Sequence, residues 1–368
     1  MSRPSPLHEV HAALGATFTD FAGWSMPVRY ASDLAEHRAV RETAGVFDLS
    51  HMGEIRVTGP AAGAALDAAL VGTPSAMPLG RAAYGMLVDT DGGILDDLVT
   101  YRLGEQEFLV IANASNVEVV ATALTERAAG FDAVVADESE QHALVAVQGP
   151  ASAAILAPLV DVDLAVVRYY RSQPATLRTA GGPVDVLLAR TGYTGEDGFE
   201  VFTATGDAVA AWEALLGAGR EHGAVPAGLA CRDTLRLEAG MPLYGHELTR
   251  DRNPYEARLG RVVKLDAPGD FTGRAALEAA AAAEPAELLV GLRGSGRRAG
   301  REGYAVLSGD DVVGRVTSGA LSPTLGYPVA MAYVRADLAA VGTALAVDVR
   351  GSAQPVEVVE LPFYRRVR

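Results

Sequence analysis

The chain has 368 residues, 49% of them hydrophobic, enough for two or three domains around a well-buried core. Its formal charge of −15 argues against nucleic acid or an anionic membrane as the main partner, and no apolar run approaches the roughly 20 residues of a membrane span. One cysteine, Cys231, excludes an internal disulfide and a thiolate metal site; the first residues carry no basic-then-apolar leader, so a cytoplasmic location is expected.

Taken in order, the pattern predicts a helix over 33–44 with Gly45 as its stop, then extended structure from Val46 through Val57. A helix follows at 60–70. Tyr84 to Val88 and Ile94 to Leu103 read as a hairpin around the turn residues Asp89-Thr90-Asp91-Gly92-Gly93. A strand at Glu107–Ala112 and a helix near 116–128 come next. Val184 to Arg190 is read as a strand, turned by Gly195-Glu196-Asp197-Gly198 into Phe199-Glu200-Val201-Phe202. Helices are predicted at about 206–220, 227–239 and, from its alanine and glutamate content, 275–284. Short strand-like pieces then follow at 288–292, 305–307, 312–316, 330–333 and 356–359, the spacing of a small barrel or sandwich. The fold class expected is α+β with an all-β tail.

Familiar chemical motifs are missing. There is no phosphate loop, no HExxH, and Gly294-Ser295-Gly296 lacks a strand-to-helix setting. The histidines are scattered; His8 and His11, the closest pair, lie beside an end expected to be disordered, so no metal is expected.

Three segments interrupt apolar pattern with charge. In Ile94-Leu95-Asp96-Asp97-Leu98-Val99-Thr100-Tyr101, strand alternation sends Asp96 and Asp97 to opposite faces, neither plainly solvated. Either the pair finishes a turn, or at least one carboxylate is partly buried and needs a partner. In Arg190 to Glu200, glycines mark a tight backbone and Glu200 interrupts a strand, as a surface glutamate or as a pocket carboxylate for a flat N–H/NH₂ edge. Glu196 and Asp197 read as ordinary turn residues. In Pro226 to Gly240, Arg232 and Arg236 share a helix face; either can clamp a carboxylate or form surface ion pairs. Cys231 reads as a small buried residue.

Together with Asp20-Phe21-Ala22-Gly23-Trp24-Ser25-Met26-Pro27, Gly45-Val46-Phe47-Asp48-Leu49-Ser50-His51-Met52, Gln148-Gly149-Pro150, Thr317 to Gly326 and Pro362-Phe363-Tyr364, these segments resemble the T protein of the glycine cleavage system, a tetrahydrofolate-dependent aminomethyltransferase. The resemblance runs nearly end to end. It implies a three-lobed α+β folate-binding fold with a C-terminal β-barrel, divided into a folate-binding region over 1–275 and a barrel over 285–368. Asp97 resembles the family's catalytic aspartate. Tyr84, Val99, Tyr101, Asn113, Tyr170, Tyr193, Glu200, Arg232 and Arg365 resemble its folate-site residues, with Glu200 on the pterin. The co-substrate implied is tetrahydrofolate, with no metal, and the partner is a lipoylated carrier, the H protein. Another folate-dependent demethylase, or a non-catalytic folate-binding protein of the same fold, are the alternatives. The chain departs from the family where Arg258-Leu259-Gly260-Arg261 replaces a usual Gly-Leu-Ser-Trp before an expected strand at 262–265, so Arg261 stands in for a tryptophan.

Overall fold

Ser32, extended at φ −159°, accepts a hydrogen bond from Ala35 N and starts the helix Asp33–Glu42. Gly45 then opens a strand, Gly45–Asp48, rather than merely ending the helix. In the computed structural model, which describes residues 2–366, the chain divides into two compact units. The first holds the residues up to Ala69, Thr73–Tyr84 and Leu98–Asp233; the second holds Leu70–Gly72, Gly85–Asp97 and the rest from Thr234.

The first unit contains a six-stranded sheet in the order Ser172–Thr179, Gly182–Ala189, Gly198–Ala204, His142–Gln148, Gly45–Asp48, Val225–Pro226. One face is apolar: Val145, Val147, Phe199 and Val201 pack with Trp212 and Leu215 of the helix Ala208–Gly219. Because side chains alternate, Glu200 and Phe202 are left on the other face. Glu200 pairs across the sheet with Ala146 and Ala189, both too small to cover its carboxylate. A five-stranded sheet has the order Ala82–Val88, Ile94–Gly104, Glu107–Ala112, Gly53–Thr58, Val134–Asp137.

The N-terminal residues are ordered, contrary to expectation. His8–Ala13 is a helix, and His11 is fully buried. Its Nε2 meets Asp48 Oδ2 at 2.9 Å and its Nδ1 meets Tyr30 Oη at 2.9 Å. Burial alone would raise the Asp48 carboxyl, but His11, Ser5 and the Ser50 amide outweigh it and hold the group below the usual range.

Glu54, by contrast, is 1% exposed with no hydrogen bond to either carboxyl oxygen. Burial, and then the Asp137 charge, push its pKa well above the ordinary carboxyl range. The folded state therefore holds this proton more tightly than the unfolded chain. Stability falls as pH rises above the unfolded value of about 4.3, by about 1.4 kcal/mol per unit until the folded pKa is passed. Glu54→Gln should gain on the wild type in thermal midpoint between pH 5 and pH 8; parallel midpoint curves would contradict this.

The second unit carries a closed six-stranded barrel, ordered Glu287–Gly294, Pro328–Arg335, Asp311–Leu321, Ala305–Ser308, Ala344–Asp348, Ala353–Val359. Val290, Leu292, Val306, Val316, Val334, Val347 and Val358 fill it. The strand Ala344–Asp348, unseen in the sequence, is the member that closes the barrel. Outside it, Arg236 is 1% exposed, donating to Glu247 Oε2 at 2.9 Å and to Ser318 Oγ at 2.7 Å. The strand expected at 262–265 is absent: Gly260–Val262 is a 3₁₀ turn and Arg261 is exposed, so it fills no tryptophan's place in a wall. No helix among the described residues is long and apolar enough to cross a membrane.

Candidate functional site

The loop leading to Glu200 is built on Gln148. Its amide lies against Gly192 and Gly198, where a Cβ would come within 2.0 Å and 2.2 Å of it, so a side chain at either position would have to push the Gln148 amide out of its place. Gln148 Nε2 donates to Thr191 O at 3.0 Å, and Thr194 Oγ1 donates to Gln148 Oε1 at 2.9 Å. Arg190 clamps Asp197 with two bonds, at 2.9 Å and 2.6 Å. Arg41 donates to Thr194 O at 2.7 Å and to Glu196 Oε1 at 2.8 Å. Glu196 and Asp197 are thus not ordinary turn residues. They are ion-paired braces, and Glu196 is 7% exposed.

Held this way, Glu200 meets two hydroxyls. Tyr101 Oη donates to Glu200 Oε2 at 3.2 Å and shares a 2.9 Å bond with Thr191 Oγ1, which itself bonds the same carboxylate oxygen. Burial first, then the Glu200 charge, raise the Tyr101 hydroxyl well above its ordinary value, so it stays a neutral donor. Tyr170 contributes to the same rise. Its backbone is left-handed at φ 59°, a costly conformation for an aromatic residue, held by Tyr170 N to Arg190 O at 3.0 Å and Ala82 N to Tyr170 O at 3.0 Å.

Arg232 lies over the Tyr193 ring, 4.8 Å from its centroid. Burial pulls its pKa below the arginine range, against Tyr193 and Glu200. Cys231, one residue before, is fully buried with its thiol donating to Gly228 O at 3.2 Å. Burial raises that thiol further, which fits a packing residue.

The structure therefore brings Tyr101, Tyr170, Tyr193, Glu200 and Arg232 together. Tyr84, Val99 and Asn113, all half-buried, belong to the same unit. Val99 forms a row with Ile111 and Glu54 across the five-stranded sheet, and Asn113 precedes the 3₁₀ turn Ala114–Asn116. Asp97 and Arg365 belong to the second unit. Asp96 is fully buried and Asp97 half-buried, and both carboxylates help raise the Tyr244 hydroxyl, after burial. Arg365 is exposed. Thr191 and Gln148 were missed by sequence reasoning; only the glycines at 192 and 198 hinted at something pressed against that loop. Among the described residues, no group of three or more His, Cys, Asp or Glu side chains is placed to hold a metal.

Comparison with known proteins places these features. The GCVT N-terminal domain matches residues 7–267, and the glycine cleavage T-protein C-terminal barrel domain matches 288–365. An aminomethyltransferase of Saccharopolyspora erythraea is 61% identical over 365 residues, covering 99% of this chain and 98% of that protein. One of Streptomyces avermitilis is 61% identical over 368 residues with the same coverage. The crystal structure of glycine cleavage system aminomethyltransferase T from Bartonella henselae superposes with a TM-score of 0.92 at 35% identity, over 100% of both chains. The class defined is that of group-transfer enzymes with an α+β body and a C-terminal barrel. More narrowly, the chain belongs to the glycine cleavage T-protein family, the aminomethyltransferases of that system.

Proposed function

We propose that the chain moves the methylene unit of an aminomethyl group, carried on the lipoyl arm of the H protein, onto tetrahydrofolate. The products are 5,10-methylenetetrahydrofolate, ammonia and the dihydrolipoyl carrier. Two folate N–H protons go to the departing amine and the released thiol sulfur, so no oxidant or reductant is needed.

The observation that carries this reading is the Glu200 carboxylate, backed by the Tyr101 and Thr191 hydroxyls and flanked by two alanines. A carboxylate in such a setting fits the 2-amino and N3–H edge of a pterin, which presents two parallel donors. Arg232, stacked on Tyr193, adds a second planar, directional group. Tyr84, Val99, Asn113 and Tyr170 are assigned to the walls and Arg365 to the outer part of the folate site. To Asp97 falls the stabilisation of positive charge that develops on the migrating carbon, together with orientation of the folate amine.

The decisive assay supplies aminomethyl-loaded H protein and tetrahydrofolate and follows ammonia and methylenetetrahydrofolate. Folate-dependent release of both is expected. No release from the loaded carrier, with turnover of a free methylamine donor instead, would favour a demethylase. Glu200→Ala should weaken tetrahydrofolate binding by roughly 10- to 100-fold, the worth of hydrogen bonds to a charged group. Equilibrium binding checks this, and an unchanged dissociation constant would move the pterin elsewhere.

A further inference from the structure

The last torsion of a glutamate side chain is broad and roughly two-fold, so a carboxylate on a strand turns freely unless something holds one of its oxygens. The sheet beside Glu200 offers nothing that can, because its register partners are Ala146 and Ala189. Two hydroxyls do the holding, and both act on the same atom. Thr191 Oγ1 and Tyr101 Oη each bond Oε2, the latter at 3.2 Å. Glu200 is half-buried, and its Oε1 accepts no hydrogen bond from the described residues and is not sealed in. The two oxygens of this carboxylate are therefore not equivalent.

Each hydroxyl has one proton to give, and a carboxylate oxygen only accepts. Thr191 gives its proton to Oε2 and receives Tyr101 at its own oxygen, 2.9 Å away. Thr191 is thus the common partner of the other two oxygens. Its backbone is fixed in turn: Gln148 Nε2 donates to Thr191 O at 3.0 Å, and Thr194 Oγ1 holds the Gln148 amide at 2.9 Å. Gln148, Thr191 and Thr194 are all buried. A braced chain of contacts therefore runs from Gln148 through Thr191 to one oxygen of Glu200.

The geometry points to Thr191 as a positioning residue that sets the affinity of the folate site, pinning Oε2 of Glu200 so that Oε1 is presented to the N–H donors of the ligand. This rests on the folate reading above. Tyr101 shares the task, but its ring also packs edge-on against Phe202 with centroids 5.6 Å apart, so its removal would disturb packing as well. Thr191 separates the two effects, because valine differs from threonine only by a methyl in place of the hydroxyl.

The test is a double-mutant cycle on the full chain, read by equilibrium binding of tetrahydrofolate. Thr191→Val should weaken binding by about 3- to 10-fold, the worth of one hydrogen bond. Thr191→Ser, which keeps the hydroxyl, should stay within about twofold of wild type. In Glu200→Ala there is no carboxylate to orient, so adding Thr191→Val should weaken binding by less than about twofold more. In turnover, the loss in Thr191→Val should fall on the KM for tetrahydrofolate more than on kcat. Wild-type affinity in Thr191→Val would overturn the assignment. So would equal losses in Thr191→Val and Thr191→Ser, or a loss of the same size with and without the Glu200 carboxylate. If Thr191→Val does not fold, Thr191→Ala removes the same hydroxyl and carries the same comparisons. A wild-type chain that binds no tetrahydrofolate, or a Glu200→Ala chain that binds it at full strength, overturns the folate reading itself and this role with it.

Discussion

Asp97→Asn is expected to lower turnover with aminomethyl-loaded carrier by about two orders of magnitude or more while leaving tetrahydrofolate binding near its wild-type strength. The substitution keeps the shape and one acceptor oxygen, replaces the other by an amide donor, and removes the charge. A group that stabilises developing charge acts in the transition state, so its loss appears in kcat rather than in KM. Asp96 is the internal control. It is the fully buried neighbour on the opposite side of the strand, and Asp96→Asn should show itself in stability before turnover. Single-turnover rates and folate titrations on both variants make the comparison. Unchanged turnover in Asp97→Asn would remove that residue from the mechanism.

Arg236→Met should cost about 3–5 kcal/mol of stability, the usual consequence of leaving one half of a buried ion pair behind. Arg236 and Glu247 are both essentially inaccessible, and the guanidinium also holds Ser318 Oγ and Met241 O. Without it, Glu247 Oε2 keeps only the Leu243 amide, at 2.9 Å. Denaturant unfolding should register the loss, with a thermal midpoint lower by about 10 °C. The double variant Arg236→Met/Glu247→Leu should recover most of it, because no stranded charge remains. A single variant as stable as wild type would mean that this pair adds nothing.

The difference between these two arginines shows where sequence reasoning ends. Arg232 and Arg236 are one helical turn apart and look equivalent as letters. The tertiary structure gives Arg232 an aromatic ring and a site carboxylate, and gives Arg236 a buried glutamate and a serine. A similar limit applies to histidine: His11 and His51 are both buried, yet one is fully bonded and the other is not. Partners as far apart as Arg41 and Glu196, separated by 155 residues, leave no local signal.

What the sequence determined by itself was everything written in short-range pattern. The helices Asp33–Glu42, Val117–Ala128 and Leu229–Glu238 were legible in local pattern, the first and third with a glycine as the expected stop, and the hairpin into Glu200 follows from glycines and alternation. The ordered set of family segments, running from end to end, carried the function. Only the tertiary structure decided that Ala344–Asp348 supplies the strand closing the expected C-terminal barrel, that the turn acids Glu196 and Asp197 are braces, and that Arg261 is exposed. The physical reason is that pattern records which face of an element prefers water. Charge pairing, closure and burial depend on which distant element arrives at that face.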